Sequence, residues 1–364
     1  MNATFKAAKT SAGNFFEDFY VGLQLPHATP RTVTAGDVAH YIALYGTRFA
    51  VHSSDEFARK SGHPAAPVDD LLVFHIVFGK SVPDVSVNAV ANLGYANGVF
   101  GVPVYPGDTL TATSEVVGLR QNSNGKTGTV YVRTTGHNQR GEVVLVYTRW
   151  VMVARRDPRG APPEPAIPSL REAPDLNGLV CYLRFAPGAF DCALSGSPYL
   201  FEDYAVGERI DHVDGMTVEQ ACHMSATRLY QNTAKVHFNE LTERSGRFGQ
   251  RLVYGGHVMS VARAASYNGL ANALGIAAIN GGTHAGPIVA GDTVHAWSEV
   301  LDSTAVAGRD DVGALRLRTV AVKGRSADGF PYRAPGGSYD PCVVLDFDYT
   351  VWMPTRAAAG IAAV

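Results

Sequence analysis

Phe16-Glu17-Asp18-Phe19-Tyr20-Val21-Gly22 returns later in the chain as Phe201-Glu202-Asp203-Tyr204-Ala205-Val206-Gly207. The same spacing carries Thr32-Val33 onto Thr217-Val218, Leu44-Tyr45 onto Leu229-Tyr230, and Val51-His52 onto Val236-His237. One residue closer, Gly107-Asp108-Thr109 and Ser114-Glu115-Val116 match Gly291-Asp292-Thr293 and Ser298-Glu299-Val300. Further on, Tyr147-Thr148 and Trp150 match Tyr349-Thr350 and Trp352. Matches that stay collinear over half a chain mean a fused pair of homologous units, so positions where the halves differ point to divided labour. The division read from the sequence is a first repeat over 1–155, a Pro-rich linker over 156–195, a second repeat over 196–356 and a tail over 357–364. Prolines 158, 162, 163, 165, 168 and 174 stiffen the linker, which can let the second repeat pair with the first.

The bulk properties exclude several classes. With 364 residues, 46% hydrophobic, 18% charged and a net charge of −2, the chain is expected to be a packed soluble protein. Nothing in that balance calls for nucleic acid or an anionic membrane as partner. No apolar run approaches the ~20 residues of a membrane helix, and Met1–Asn14 has no apolar signal core and is read as a short arm. Cys181, Cys192, Cys222 and Cys342 show no Cys-x-x-Cys spacing, so free thiols in a reducing cytoplasm are expected rather than a metal site or disulfide.

Each repeat has the same grammar. Thr32 or Thr34 caps a helix whose apolar face is Val38, Tyr41, Ile42 and Tyr45; Val218 to Cys222 opens its counterpart. A polar loop carrying His52 or His237 follows. Then comes a second helix, Leu71–Phe78 or Val258–Ser266; the first is apolar all round except for His75, as expected of a buried helix wrapped by a sheet. Strands are predicted at 109–119, 128–135 and 143–153, and again at 293–301, 314–322 and 343–353. This is an α+β plan: a curled antiparallel sheet around a long central helix, twice, with the two sheets joined edge to edge so that two exposed edges disappear.

These residues resemble the MaoC-like hydratase group of the HotDog fold, over the whole chain as a tandem HotDog. The resemblance is carried by Pro103-Val104-Tyr105-Pro106-Gly107-Asp108-Thr109-Leu110 and Pro287-Ile288-Val289-Ala290-Gly291-Asp292-Thr293. Leu229 to Phe238 with Tyr254-Gly255-Gly256-His257-Val258-Met259 is similar, more narrowly, to the double-HotDog mesaconyl-CoA hydratases, also called β-methylmalyl-CoA dehydratases. The resemblance implies reversible hydration of an enoyl-CoA. It also implies CoA as part of the substrate, no metal and no redox cofactor, and a homodimer or higher homo-oligomer. The hydratase motif Gly-Asp-x-Asn-Pro-x-His is altered in both halves. Counting back from His237, its Asp, Asn and Pro positions hold Asn232, Ala234 and Lys235; counting back from His52 they hold Thr47, Phe49 and Ala50.

Hydration of an enoyl thioester requires an activated water, a proton for the α-carbon and donors for the enolate oxygen. His237 is the candidate acid/base, since imidazole titrates near working pH. Asn232 cannot be a base but can hold water or a carbonyl through its amide. Gly255 and Gly256, just before the apolar helix, lie where the family places its oxyanion donor; backbone N–H groups at a helix start suit that task. The first half has Asp69-Asp70 there, which would oppose an enolate, so the site is expected in the second repeat, with the first shaping the substrate. His52 stays open as a fossil, a substrate-shaping group or a second catalytic group. Arg48, Lys235 and Arg228 are candidates for a substrate carboxylate. Asp69, Asp70 and Glu243 are candidates for the missing acid. A hydratase that interconverts linear enoyl-CoA and (R)-3-hydroxyacyl-CoA, and a non-catalytic acyl-CoA-binding protein, are the alternative readings; a cation in the pocket separates the first of these from the carboxylate-bearing substrate.

Overall fold

The computed structural model describes residues 9–362. The first repeat runs β1 (Gln24–Thr32), α1 (Ala35–Tyr45), α2 (Ala50–Ser53), α3 (Asp55–Lys60), α4 (Asp70–Val85), then β2 (Ala89–Phe100), β3 (Thr109–Gln121), β4 (Thr127–His137) and β5 (Val143–Ala154). A short α5 (Cys192–Ser195) lies between the repeats. The second repeat runs β6 (Arg209–Thr217), α6 (Gln220–Leu229), α7 (Lys235–Phe238), α8 (Glu240–Glu243), α9 (Gly255–Ala265), α10 (Tyr267–Leu270), β7 (Gly275–Thr283), β8 (Thr293–Ala305), β9 (Val312–Lys323) and β10 (Val343–Pro354). The strands form one antiparallel sheet in the order β1-β3-β4-β5-β2-β7-β10-β9-β8-β6, a palindrome of two five-stranded halves. The halves meet at β2 and β7, where Tyr95 faces Gly282 and Val99 faces Ala278. The edge-to-edge junction expected from the sequence is therefore present. The four strands that the sequence reading passed over, β1, β2, β6 and β7, are the outer edges and the junction.

The repeated phrases are closure devices. Phe16 covers Gly128 and Phe201 covers Gly313; a Cβ on either glycine would sit 2.2 or 2.3 Å from the ring. Glu17 accepts the backbone N–H groups of Arg156 and Asp157, and Glu202 accepts that of Arg356. Asp18 pairs with Arg156 and Asp203 with Arg356, both at 2.6 Å. Each acidic lead-in thus anchors the chain just past the last strand of its own repeat. In the Gly-Asp phrase, Asp108 and Asp292 accept the N–H groups of Tyr105 and Val289, closing the turn before β3 and β8.

Helix ends follow their caps. Thr34 accepts the Asp37 N–H while the Asp37 carboxylate accepts the Thr34 N–H, a reciprocal box that starts α1; Gly46, at φ 60°, ends it. The Asp69 carboxylate accepts the Leu71 N–H and starts α4. Inside the wrap, the two central helices α4 and α9 share one apolar core with α1 and α6. Polar groups between the repeats satisfy one another. Tyr45 Oη lies 2.7 Å from Tyr230 Oη and 2.8 Å from His257 Nδ1, and Ser260 Oγ meets both Tyr41 Oη and His75 Nε2 at 2.9 Å. Burial pushes His75 well below the usual imidazole range and His257 down to about 3, so both rings stay neutral in this layer.

The repeats approach closely at Gly79, where a Cβ would fall 1.8 Å from the Tyr230 carbonyl oxygen. Backbone cannot yield there as a flexible side chain would. Gly79→Ala is expected to cost about 1–3 kcal/mol, the range for overpacking a filled core; a shift in urea midpoint at unchanged slope checks it.

Candidate active site

The His237 loop is held from both sides. Asn232, fully buried, donates its N–H to Thr227 O and accepts the Ala234 N–H on Oδ1. Leu252 N–H bonds Val236 O, so the return strand of the loop lies beside the short α7. Leu252 O then sits 2.9 Å from His237 Nδ1. A carbonyl only accepts, so Nδ1 carries the proton and Nε2 keeps its lone pair. Burial pushes the half-buried His237 ring down to about 4, against the opposing pull of the Leu252 carbonyl.

Beside it, Tyr254 caps α9 and packs against the His237 ring at 5.6 Å between centroids. Gly255 and Gly256 are the first two helical residues, so their N–H groups have no partner within the helix. Rings press on both. A Cβ on Gly255 would meet His284 at 2.4 Å, and one on Gly256 would meet Tyr254 at 2.4 Å and His75 at 2.5 Å. His284 follows β7 and was not singled out from the sequence; its Nε2 lies 3.1 Å from Tyr95 Oη of the first repeat. Burial first, and then the nearby His237, hold it down at about 4. A cleft of about 550 Å³ joins Asn232, His237, Gly255 and His284 to a wall from α4, β2 and β5 of the first repeat. Glu243 lines it too; Asp69 and Asp70 do not.

The symmetry-related position in the first repeat is closed. His52 Nδ1 bonds Pro67 O at 3.1 Å just as His237 bonds Leu252. In Gly255's place, however, stands Asp70, the first residue of α4, with Leu71 in place of Gly256. Asp70 Oδ2 is 3.8 Å from His52 Nε2 and accepts the Ile276 N–H at 2.7 Å. Burial raises its carboxyl to about 6, with His52 pulling the other way. Val180, Tyr182 and Leu183 of the inter-repeat segment line the remaining space, about 60 Å³. That space is far smaller than the His237 cleft, with the Asp70 carboxylate and the inter-repeat segment beside His52.

The three cations named for the substrate carboxylate are also elsewhere. Arg48 is exposed and stacks on Tyr267 at 4.5 Å. Arg228 lines a different surface cleft with Lys80, and Lys235 points to solvent on α7. None of the three lines the cleft that holds His237. The arginines that line the cleft are Arg149 and Arg247. All four cysteines are free thiols, and no three His, Cys, Asp or Glu side chains among the described residues cluster as a metal site would require.

Two sheets joined edge to edge, each wrapped on a central helix, with a histidine segment beside a helix start in one repeat and a cleft wall supplied by the other, define a double-HotDog protein of the MaoC-like type. A solved double-HotDog protein from Mycobacterium tuberculosis, 23% identical, shares this architecture at a TM-score of 0.72 over 94% of this chain and 99% of that one. The family model for mesaconyl-CoA hydratase matches residues 2–163. The chain is 61% identical to the β-methylmalyl-CoA dehydratase of Chloroflexus aurantiacus, over 96% of this chain and 99% of that protein. It is 56% identical to the mesaconyl-CoA hydratase of Cereibacter sphaeroides, over 95% and 99%. A solved Chloroflexus aurantiacus structure described as a MaoC-domain dehydratase superposes with a TM-score of 0.95, covering 96% of this chain and 100% of that one. The chain belongs to the mesaconyl-CoA hydratase (β-methylmalyl-CoA dehydratase) family.

Proposed function

We propose that this protein is a hydro-lyase that reversibly adds water to mesaconyl-CoA, giving β-methylmalyl-CoA, in the cleft of the second repeat. The observation that carries the site is the set Asn232, His237, Gly255 and His284 gathered at one cleft of about 550 Å³, with Gly256 buried just behind Gly255, while the space at the equivalent first-repeat position is about 60 Å³ and holds Asp70. The thioester carbonyl lies at the start of α9, with Gly256 N–H as oxyanion donor. His237 Nε2 takes a proton from water as the oxygen bonds to the β-carbon, and the electron pair of the double bond moves toward the thioester oxygen. The proton gained by His237 is then delivered to the α-carbon, restoring the neutral ring. Asn232 carries a buried Nδ2 with no partner among the described residues, and it faces the same chemistry as a donor to water or carbonyl. His284, held by Tyr95, is a second neutral imidazole on the cleft. The substrate's CoA is the only cofactor this scheme uses.

The test is incubation with mesaconyl-CoA and, separately, crotonyl-CoA, following a mass gain of one water. Faster hydration of mesaconyl-CoA supports the assignment; preference for crotonyl-CoA replaces it with a linear-substrate hydratase; binding without turnover of either leaves an acyl-CoA-binding protein. The low His237 pKa has a signed consequence. The base is active when neutral, so kcat/KM is expected to hold from pH 8 down to about 5 and to fall as pH approaches 4, since burial pushes His237 down to about 4. A pH profile breaking near 6.5 would contradict it. The free thiols favour a cytoplasmic setting, and chains are proposed to pair as homodimers, which light scattering on the purified protein decides.

A further inference from the structure

On the first-repeat wall of the cleft lies a guanidinium with no carboxylate to pair with. Arg149, on β5, is 0% exposed. Its terminal nitrogens donate to Ser86 Oγ at 3.0 Å and Ser81 Oγ at 2.9 Å, with Asn92 Oδ1 at 3.5 Å, and its carbon sits 4.4 Å over the Phe78 ring. Among the described residues it makes no ion pair, and Arg149 Nε and Asn92 Nδ2 are buried without any partner. Both residues line the cleft, as does Ser86. Burying a permanent charge against neutral acceptors alone is costly, and arginine cannot shed its proton to escape the cost.

A purely architectural role explains this poorly. The guanidinium does tie the end of α4 to the sheet, but the second repeat is built the same way without it. Tyr147-Thr148-Arg149-Trp150 corresponds to Tyr349-Thr350-Val351-Trp352, so valine suffices at this point of the fold. The cation stands only on the wall that faces the open cleft. It is also close to the reacting end: Phe78, beneath its guanidinium, packs against Tyr254, which caps α9, at 5.4 Å between centroids, and against Tyr95, which holds His284, at 6.2 Å.

We infer that Arg149, with the Asn92 amide beside it, binds the free carboxylate of the acyl group and so selects CoA thioesters of unsaturated dicarboxylic acids over those of simple enoic acids. The inference rests on the hydratase reading and deepens it. In mesaconyl-CoA the carboxylate is attached to the β-carbon, the atom that receives water. Fixing that carboxylate on the first-repeat wall fixes the β-carbon against the second-repeat histidines, so one repeat sets specificity and the other performs the chemistry.

The experiment compares mesaconyl-CoA with 2-methylcrotonyl-CoA, in which a methyl group replaces the carboxylate, on the wild type and on Arg149→Met, Arg149→Lys and Asn92→Ala. Arg149→Met is expected to lose about 100-fold in kcat/KM for mesaconyl-CoA, the scale of removing one partner of a buried charge pair, and to leave the slow hydration of 2-methylcrotonyl-CoA within about threefold. Arg149→Lys should recover part of the loss, and Asn92→Ala should show the same selectivity at smaller size. Equal losses on both substrates, or an unchanged preference in all three variants, would overturn the assignment. Asn92→Ala keeps the test decisive if Arg149→Met does not fold. A wild type inactive on both substrates would instead sink the hydratase reading, a result separable from the variants' selectivity.

Discussion

His237→Ala is expected to lower kcat for mesaconyl-CoA hydration by about 10²–10⁴-fold, the usual contribution of a positioned acid/base group, while His52→Ala leaves it within a few-fold. The two histidines descend from one position and make the same hydrogen bond, from Nδ1 to a backbone carbonyl. What separates them is what Nε2 faces: a cleft of about 550 Å³ for His237, and the Asp70 carboxylate in a residual space of about 60 Å³ for His52. Since His237 is half-buried on the short α7 at the cleft and lies outside the central core, its loss should leave thermal unfolding close to that of the wild type. His52→Ala opens a buried pocket and should show the reverse, a lowered melting temperature with activity retained. Steady-state kinetics paired with calorimetry on both variants reads the crossing directly.

Gly256→Ala should be nearly as severe. The new Cβ would fall 2.4 Å from the Tyr254 ring and 2.5 Å from the His75 ring, both packed in the layer between the repeats. Neither ring has room to yield, so the start of α9 must move. Its N–H groups are the proposed donors for the enolate oxygen. Losing one such donor costs about 10²–10³ in kcat, and misplacing it by about 1 Å costs on the order of 10². The expected signature is a fall in kcat greater than any rise in KM. Gly256→Ala with full kcat would remove α9 from the catalytic account.

Much of this could be read from the sequence, for physical reasons that differ by region. The repeated phrases survive in both halves because they close turns and strand ends; Phe16 over Gly128 and Phe201 over Gly313 are the same fitting used twice. Strands β3–β5 and β8–β10 show through as alternation because one face is buried. Strands β2 and β7 do not, because Ala89–Phe100 and Gly275–Thr283 are rich in Gly, Ala and Asn. Those small residues are there for close approach: a Cβ on Gly98 would meet Ile279 at 2.7 Å across the junction. Propensity argues against strand at both, and pairing with the other repeat overrides it.

The site divides along the same line. His237, Asn232 and the glycine pair could be singled out as candidates because the repeat supplied a control: the first half has the histidine but an aspartate at the helix start. His284 and Arg149 were not legible, since each belongs to one repeat only and reads as a strand-end polar residue or a lone charge in a strand. The signal for Arg149 was present in the substitution of Val351 at the matching position. The exposed cations Arg48, Arg228 and Lys235 drew the carboxylate expectation because charges near the histidine motif are conspicuous, whereas a buried cation within an apolar run reveals itself only when its missing partner is seen.

The central claim is that one chain holds one working site, made by a chemical repeat and a shaping repeat. Calorimetric titration of mesaconyl-CoA into His237→Ala, which should bind the thioester without consuming it, counts sites per chain. One thioester per chain is the result expected with the His52 position filled by Asp70 and the linker. Two per chain, or binding that His52→Ala rather than a cleft substitution abolishes, would contradict the account.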